Sequence, residues 1–120
     1  MKIAITAQKN NSETEVDSRF GRAAYFCIVD TETNDMEFID NEQNLNAEQG
    51  AGIQAAQIVV KTGVECILTG HCGPKAFTAL KASGVKVIVS VEGKIEEVIE
   101  KFKKDEYSET NTPDVDGHWV

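Results

Sequence analysis

One hundred and twenty residues, 41% of them apolar, suffice for one modest hydrophobic core and leave no room for a second domain of ordinary size. Twenty acidic against twelve basic residues give a formal net charge of −8, which opposes general attraction to nucleic acid or anionic membranes. An anionic ligand would therefore need a local basic patch. No stretch approaches about eighteen consecutive apolar residues, and Met1-Lys2-Ile3-Ala4-Ile5-Thr6 is too short and strand-like for a signal peptide, so a soluble, cytoplasmic protein is expected.

In chain order, residues 2–7 read as a short buried strand. Gln8 to Arg19 is a polar loop of the length that is functional or mobile in compact domains. It empties into Phe20-Gly21-Arg22-Ala23-Ala24. Tyr25 to Asp30 and Met36 to Asp40 read as a hairpin joined by Thr31 to Asp35. Asn41 to Gln49 is polar and loop-like, and Gly50-Ala51-Gly52 opens a helix in which Ile53, Ala56, Ile58, Val59 and Val60 recur at helical spacing up to Gly63. Val64 to Thr69 is a strand, Pro74 to about Ser83 a second helix closed by Gly84, and Val85 to Val91 a β-branched strand. Lys94 to Lys103 spaces Ile95, Val98, Ile99 and Phe102 as an amphipathic helix. From Lys104 the chain is polar and aperiodic, which predicts one domain over 1–103 and a flexible tail over 104–120.

Three strands followed by strand and helix in alternation predict an α/β fold with a mixed five-stranded sheet, a meander on one side and parallel βαβ units on the other. In such sheets ligands collect at the carboxyl ends of the parallel strands, here Thr6-Ala7-Gln8 and Thr69-Gly70-His71-Cys72, with the Gly50-Ala51-Gly52 helix start at the border.

The chemistry concentrates in Gly70-His71-Cys72-Gly73-Pro74. An apolar strand, glycines and a proline suited to a first helical turn place this loop before a helix N-terminus, whose N–H groups and dipole favour an anion and would stabilise a thiolate. Thiolate beside imidazole suits iron, copper or zinc, and an exposed glycine loop admits a bulky ligand. One cysteine and one histidine cannot close a four-ligand site, so Cys72 and His71 point to an open site for a preassembled cofactor, unless the turn merely holds two polar residues. Cys27 sits in an apolar run, and Cys66 lies roughly 13 Å back along its strand from position 70 at about 3.3 Å per residue, so both are assigned to the core. Three cysteines without CxxC spacing argue against a disulfide framework or a structural zinc site. A phosphatase loop needs an arginine six residues after the cysteine, where Thr78 stands, and no Gly-Lys-Ser/Thr closes a nucleotide loop. Arg19 and Arg22 put two guanidinium groups at the end of the long loop, either for an anion or as a solvated pair. His118 reaches the site only if the tail folds back.

Asp17-Ser18-Arg19-Phe20-Gly21-Arg22-Ala23-Ala24-Tyr25-Phe26, Gly50-Ala51-Gly52, Gly63-Val64 and Thr69-Gly70-His71-Cys72-Gly73-Pro74-Lys75-Ala76 together resemble the dinitrogenase iron-molybdenum cofactor-binding family, which includes NifX-like proteins and the carboxy-terminal domain of NifB-like proteins. The resemblance spans about residues 2–103. It implies a ribonuclease H-like α/β fold and the binding or carriage of an iron-sulfur or molybdenum-containing cluster, without enzymatic activity. Arg19, Phe20, Gly21, Arg22, Gly50, Gly52, Gly70, Gly73 and Lys75 would then border the cofactor, with a cluster donor or acceptor protein as partner and a monomer as the working state. Two other classes remain open. A regulatory or interaction module would leave the cleft vestigial. A nuclease needs clustered carboxylates for two metal ions, and the first strand offers none.

Overall fold

The structure, a computed structural model, describes residues 1–41 and 51–111. Its strands are β1 (Lys2–Ala7), β2 (Tyr25–Asp30), β3 (Met36–Asp40), β4 (Cys66–Leu68) and β5 (Lys86–Ile88), and its helices α1 (Ala51–Lys61), α2 (Pro74–Ala82) and α3 (Ile95–Lys103). The strands form one mixed sheet in the order β3-β2-β1-β4-β5. β1 is its hinge, antiparallel to β2 with Ile5 opposite Cys27 and parallel to β4 with Ile5 opposite Leu68. β2 and β3 pair antiparallel, β4 and β5 parallel. The expected meander and parallel half are both present.

A central strand covered on both faces must be apolar on both. Ala4 of β1 joins Phe26, Ile28, Ile67 and Val87 under α1 and α2, while Ile3, Ile5, Cys27, Val29, Cys66 and Leu68 join Ile95, Val98 and Ile99 of α3 on the opposite face. Both assigned core cysteines are thus core residues. On α1 the buried face is Ala51, Gly52, Ala55, Ala56 and Val59, and Ile53 is 39% exposed. That face is made mostly of small side chains, and Ile53 falls outside the interface its spacing suggested.

β4 and β5 are shorter than expected at both ends, and at their carboxyl ends the chain hooks. Ser90 takes a left-handed φ of 64°, its N–H donates to the Gly70 carbonyl at 2.8 Å, and Val91 N–H donates to the Thr69 carbonyl at 3.1 Å. A β-branched run cannot continue as a strand through that geometry.

Of the stretch expected to be a flexible tail, residues 104–111 are laid against the fold. Tyr107 packs on the α3 face, Glu109 accepts a hydrogen bond from Lys81, Thr110 N–H donates to the Val87 carbonyl at 2.7 Å, and Val89 N–H donates to Thr110 Oγ1 at 3.3 Å. The strap satisfies the edge of β5, which would otherwise present unpaired backbone groups. The rest of the expected tail, with His118, lies outside the described residues, as does most of the expected 41–49 loop.

Candidate functional site

The long loop after β1 is stitched to four neighbours. Asp17 N–H donates to the Thr6 carbonyl at 2.9 Å, and Gln8 N–H to the Glu15 carbonyl at 3.1 Å. Thr14 and Val16 hold the start of α3, since Ile95 N–H donates to the Thr14 carbonyl at 3.0 Å and Val16 N–H to that of Gly93 at 2.9 Å. Further on, Phe20 N–H donates to the His71 carbonyl at 3.0 Å, within a parallel bridge between Arg19 and His71. Asn41, with no exposure, closes the loop's end: Nδ2 donates to the carbonyls of Gly21 at 3.2 Å and Ala23 at 2.9 Å.

The two segments singled out in the sequence therefore touch. Their contact explains Gly70: a Cβ there would lie 2.6 Å from Ser18 O and 2.7 Å from Ser18 Cα, inside contact distance of backbone that cannot rotate away. Arg19 is exposed, His71 half-buried and Lys75 exposed, so three cationic or ionisable groups lie along the Arg19–His71 seam and the start of α2. Arg22 is half-buried. Helix α2 begins at Gly73 with Pro74 in its first turn and no side chain capping its N–H groups. Uncapped N–H groups and the helix dipole favour negative charge.

The remaining expected positions divide. Phe20 is 1% exposed, its ring centroid 5.5 Å from that of Phe26, so it anchors the loop in the core and offers no ring to solvent. Gly21 and Gly73 are buried in the loop ends, and Gly52 is buried in α1. Gly50 lies outside the described residues. Cys72 corrects an expectation: it is not an exposed thiol. It is 1% exposed, its Sγ lies 3.8 Å from the Gly73 carbonyl, and it packs in the α1/α2 core with Phe20, Ala76 and Phe77. Of the turn residues 69–73, His71 alone is half-buried and the other four, Cys72 among them, are buried. Burial pushes the thiols of Cys27 and Cys66 up to about 12, which keeps both protonated and poor as metal ligands. Among the described residues no group of three or more His, Cys, Asp or Glu side chains is placed to hold a metal ion.

Composition and spacing give no warning of Thr6, Thr69 and Asn41, polar side chains with no exposure that tie the loops together. Polar residues at strand ends are too common to mark them.

A family described as dinitrogenase iron-molybdenum cofactor matches residues 1–105. The chain belongs to that family. Its likeness to solved structures agrees. The apo form of the orange protein from Desulfovibrio gigas is 40% identical, superposes with a TM-score of 0.92 and aligns over 95% of this chain and 96% of that one. A NifB-like protein from Thermotoga is 34% identical with a TM-score of 0.79, over 95% of this chain and 98% of the other. An uncharacterized protein of Methanocaldococcus jannaschii is 31% identical over 105 residues, 85% of each chain. Family membership connects the chain with metallocluster handling. No helix among the described residues is long and apolar enough to cross a membrane.

Proposed function

We propose that this member of the dinitrogenase iron-molybdenum cofactor family is a small NifX-like carrier. It takes up a preformed, anionic iron-sulfur or molybdenum-containing cluster at the carboxyl ends of β1 and β4, and passes it between a donor and an acceptor protein. The ribonuclease H-like arrangement of the mixed sheet serves as scaffold, the protein works as a cytoplasmic monomer, and no bond of the cargo need be broken. One observation carries the reading: the Arg19–His71 seam, locked by the fit of Ser18 onto Gly70, sets basic groups next to the uncapped start of α2 in a chain whose net charge is −8.

Such an arrangement suits cargo better than a resident metal. A permanent centre would need several ligands converging from the protein, whereas an assembled cluster brings its own sulfur and needs charge neutralisation and a shaped seat. Arg19, Arg22 and Lys75 would supply charge, with backbone N–H groups from the loop at Gly73, and His71 is the accessible ligand. Cys72 would become a ligand only if the loop turned outward, which would expose a core position.

Anaerobic titration of the metal-free protein with tetrathiomolybdate or an iron-sulfur cluster, followed by visible absorption, tests the reading. Stoichiometric charge-transfer bands that weaken in Arg19→Ala and His71→Ala support it. Bands unchanged in Cys72→Ala leave the carriage in place and remove that thiol as a ligand. Absence of bands with every cluster would sink the carrier reading and favour an interaction module with a vestigial cleft.

A further inference from the structure

The far end of the long loop is fixed to the sheet by one residue from two directions. Asp17 N–H donates to the Thr6 carbonyl at 2.9 Å, and Thr6 Oγ1 lies 2.7 Å from the Asp17 carbonyl, to which it donates. A hydroxyl has one proton, so the 3.0 Å contact between Thr6 Oγ1 and Thr69 Oγ1 has Thr69 as its donor. Both threonines have no exposure. Thr69 is itself tied, its N–H donating to the Ile88 carbonyl at 3.0 Å and its carbonyl accepting from Val91 at 3.1 Å. The chain of contacts thus runs from β5 through Thr69 and Thr6 to Asp17.

From Asp17 it continues outward. Asp17 Oδ1 accepts the Arg19 N–H at 3.1 Å, the intervening Ser18 is seated on Gly70, and Arg19 bridges to His71. Two polar side chains at the core end of this path make no contact with solvent, while the far end is an exposed guanidinium. A valine fills the same space as threonine without burying a hydroxyl. What the Thr6 hydroxyl adds is a fixed distance between the ends of β1 and β4 and the loop that bears Arg19.

We infer that Thr6, itself held by Thr69, is a positioning residue for the anion seat: its hydroxyl sets the register of the Asp17–Arg19 segment against Gly70–His71. The inference rests on the cluster-carrier reading for the identity of the anion, and on geometry alone for the clamp. It differs from a general packing role in acting through Arg19. Removing the hydroxyl should therefore cost binding only while Arg19 is present.

The test is a double-mutant cycle on tetrathiomolybdate affinity with Thr6→Val, Arg19→Ala and the pair, with Thr6→Ser as the rescue variant and Thr69→Val as an independent break of the same chain of contacts. Amide hydrogen exchange of the Phe20 N–H, which donates to His71, is measured alongside. Loss of one such hydrogen bond predicts affinity about fivefold weaker in Thr6→Val. Thr6→Ser should fall within about twofold of the parent, and the pair should be no weaker than Arg19→Ala. Losses that multiply in the pair, an unaltered Thr6→Val affinity, or failure of Thr6→Ser to rescue would overturn the inference. Should Thr6→Val not fold, Thr69→Val enters the same cycle under the same criteria. A parent protein that binds no thiomolybdate would count against the carrier reading. The clamp is then decided by exchange: faster Phe20 exchange in Thr6→Val upholds it, and unchanged exchange overturns it.

Discussion

Replacing Gly70 with alanine puts the central contact of the site under direct load. The added Cβ would stand 2.6 Å from Ser18 O, 2.7 Å from Ser18 Cα and 3.0 Å from Ser18 C. Ordinary contacts for such atoms begin nearer 3.4 Å, so the two segments must separate by somewhat under about 1 Å. No side chain can swing aside, because every atom met is backbone. Separation stretches the Phe20 N–H to His71 carbonyl bond at 3.0 Å and disturbs the Ser90 N–H to Gly70 carbonyl bond at 2.8 Å. Two weakened hydrogen bonds cost about 1 kcal/mol each, and overpacking adds about 1–3 kcal/mol, for a total of about 3–5 kcal/mol. For a domain of this size that lowers Tm by on the order of 10 °C. Thermal unfolding followed by circular dichroism measures it. A Gly70→Ala Tm within about 2 °C of the parent would refute the reasoning, since the loops would then not be in contact as described.

Burial holds Cys27 and Cys66 up at about 12 against an ordinary 9.0, so between those values the unfolded chain has released protons that the folded chain keeps. Stability is accordingly full below about pH 9 and falls toward pH 12 by about 1.4 kcal/mol per unit for each thiol, with Tyr107, whose phenol is also pushed up by burial, adding to the loss, and Cys27→Ala should make the slope of urea stability against pH shallower by one thiol's share. Cys72, at 1% exposure, should resist alkylation in the folded protein and react only as fast as the loop opens, which timed iodoacetamide labelling with mass spectrometry reads directly. Immediate labelling would mean that the thiol faces solvent. Replacing Asn41 with leucine removes the amide that Gly21 and Ala23 carbonyls accept from, and should destabilise by about 2 kcal/mol in urea unfolding. Cutting the chain after Lys104 removes the Thr110 contacts to β5 and should speed amide exchange at Val89 well above that of β1, whereas equal rates would show that the strap protects nothing.

What could be read from the residues was local periodicity. β1, β2, β3 and α3 follow from apolar spacing alone, and Gly63 and Gly84 at φ of 77° and 81° end their helices as their type suggests. The failures share a cause, dependence on a partner distant in sequence. Gly70 has no unusual φ to betray it, and its need for a bare Cα comes from Ser18, fifty-two positions earlier in the chain. The polar stretch 8–19 carries no periodic pattern because its order comes from backbone groups, which every sequence possesses, and from scattered side-chain bonds such as those of Thr14 and Asp17 that follow no spacing. Cys72 followed the right motif to the wrong side of the chain, since a cysteine in a glycine turn has no polarity strong enough to fix which way it faces.

That reversal changes the chemistry the seat can support. An exposed thiolate would give a covalent hold on cargo; with Cys72 inward, the accessible groups are cationic or imidazole, and charge becomes the main attraction. Charge-led binding is screened by salt and weakens as ionic strength rises, whereas a thiolate ligand bond does not. On the proposed carrier reading release matters as much as hold, and a seat built on guanidinium, ammonium and backbone N–H groups would let an acceptor with better ligands win by exchange. The acidic remainder of the chain then works in the same direction. On that reading it would lower retention of any anion that left the Arg19–His71 seam and so confine binding to one place on a surface that otherwise repels it.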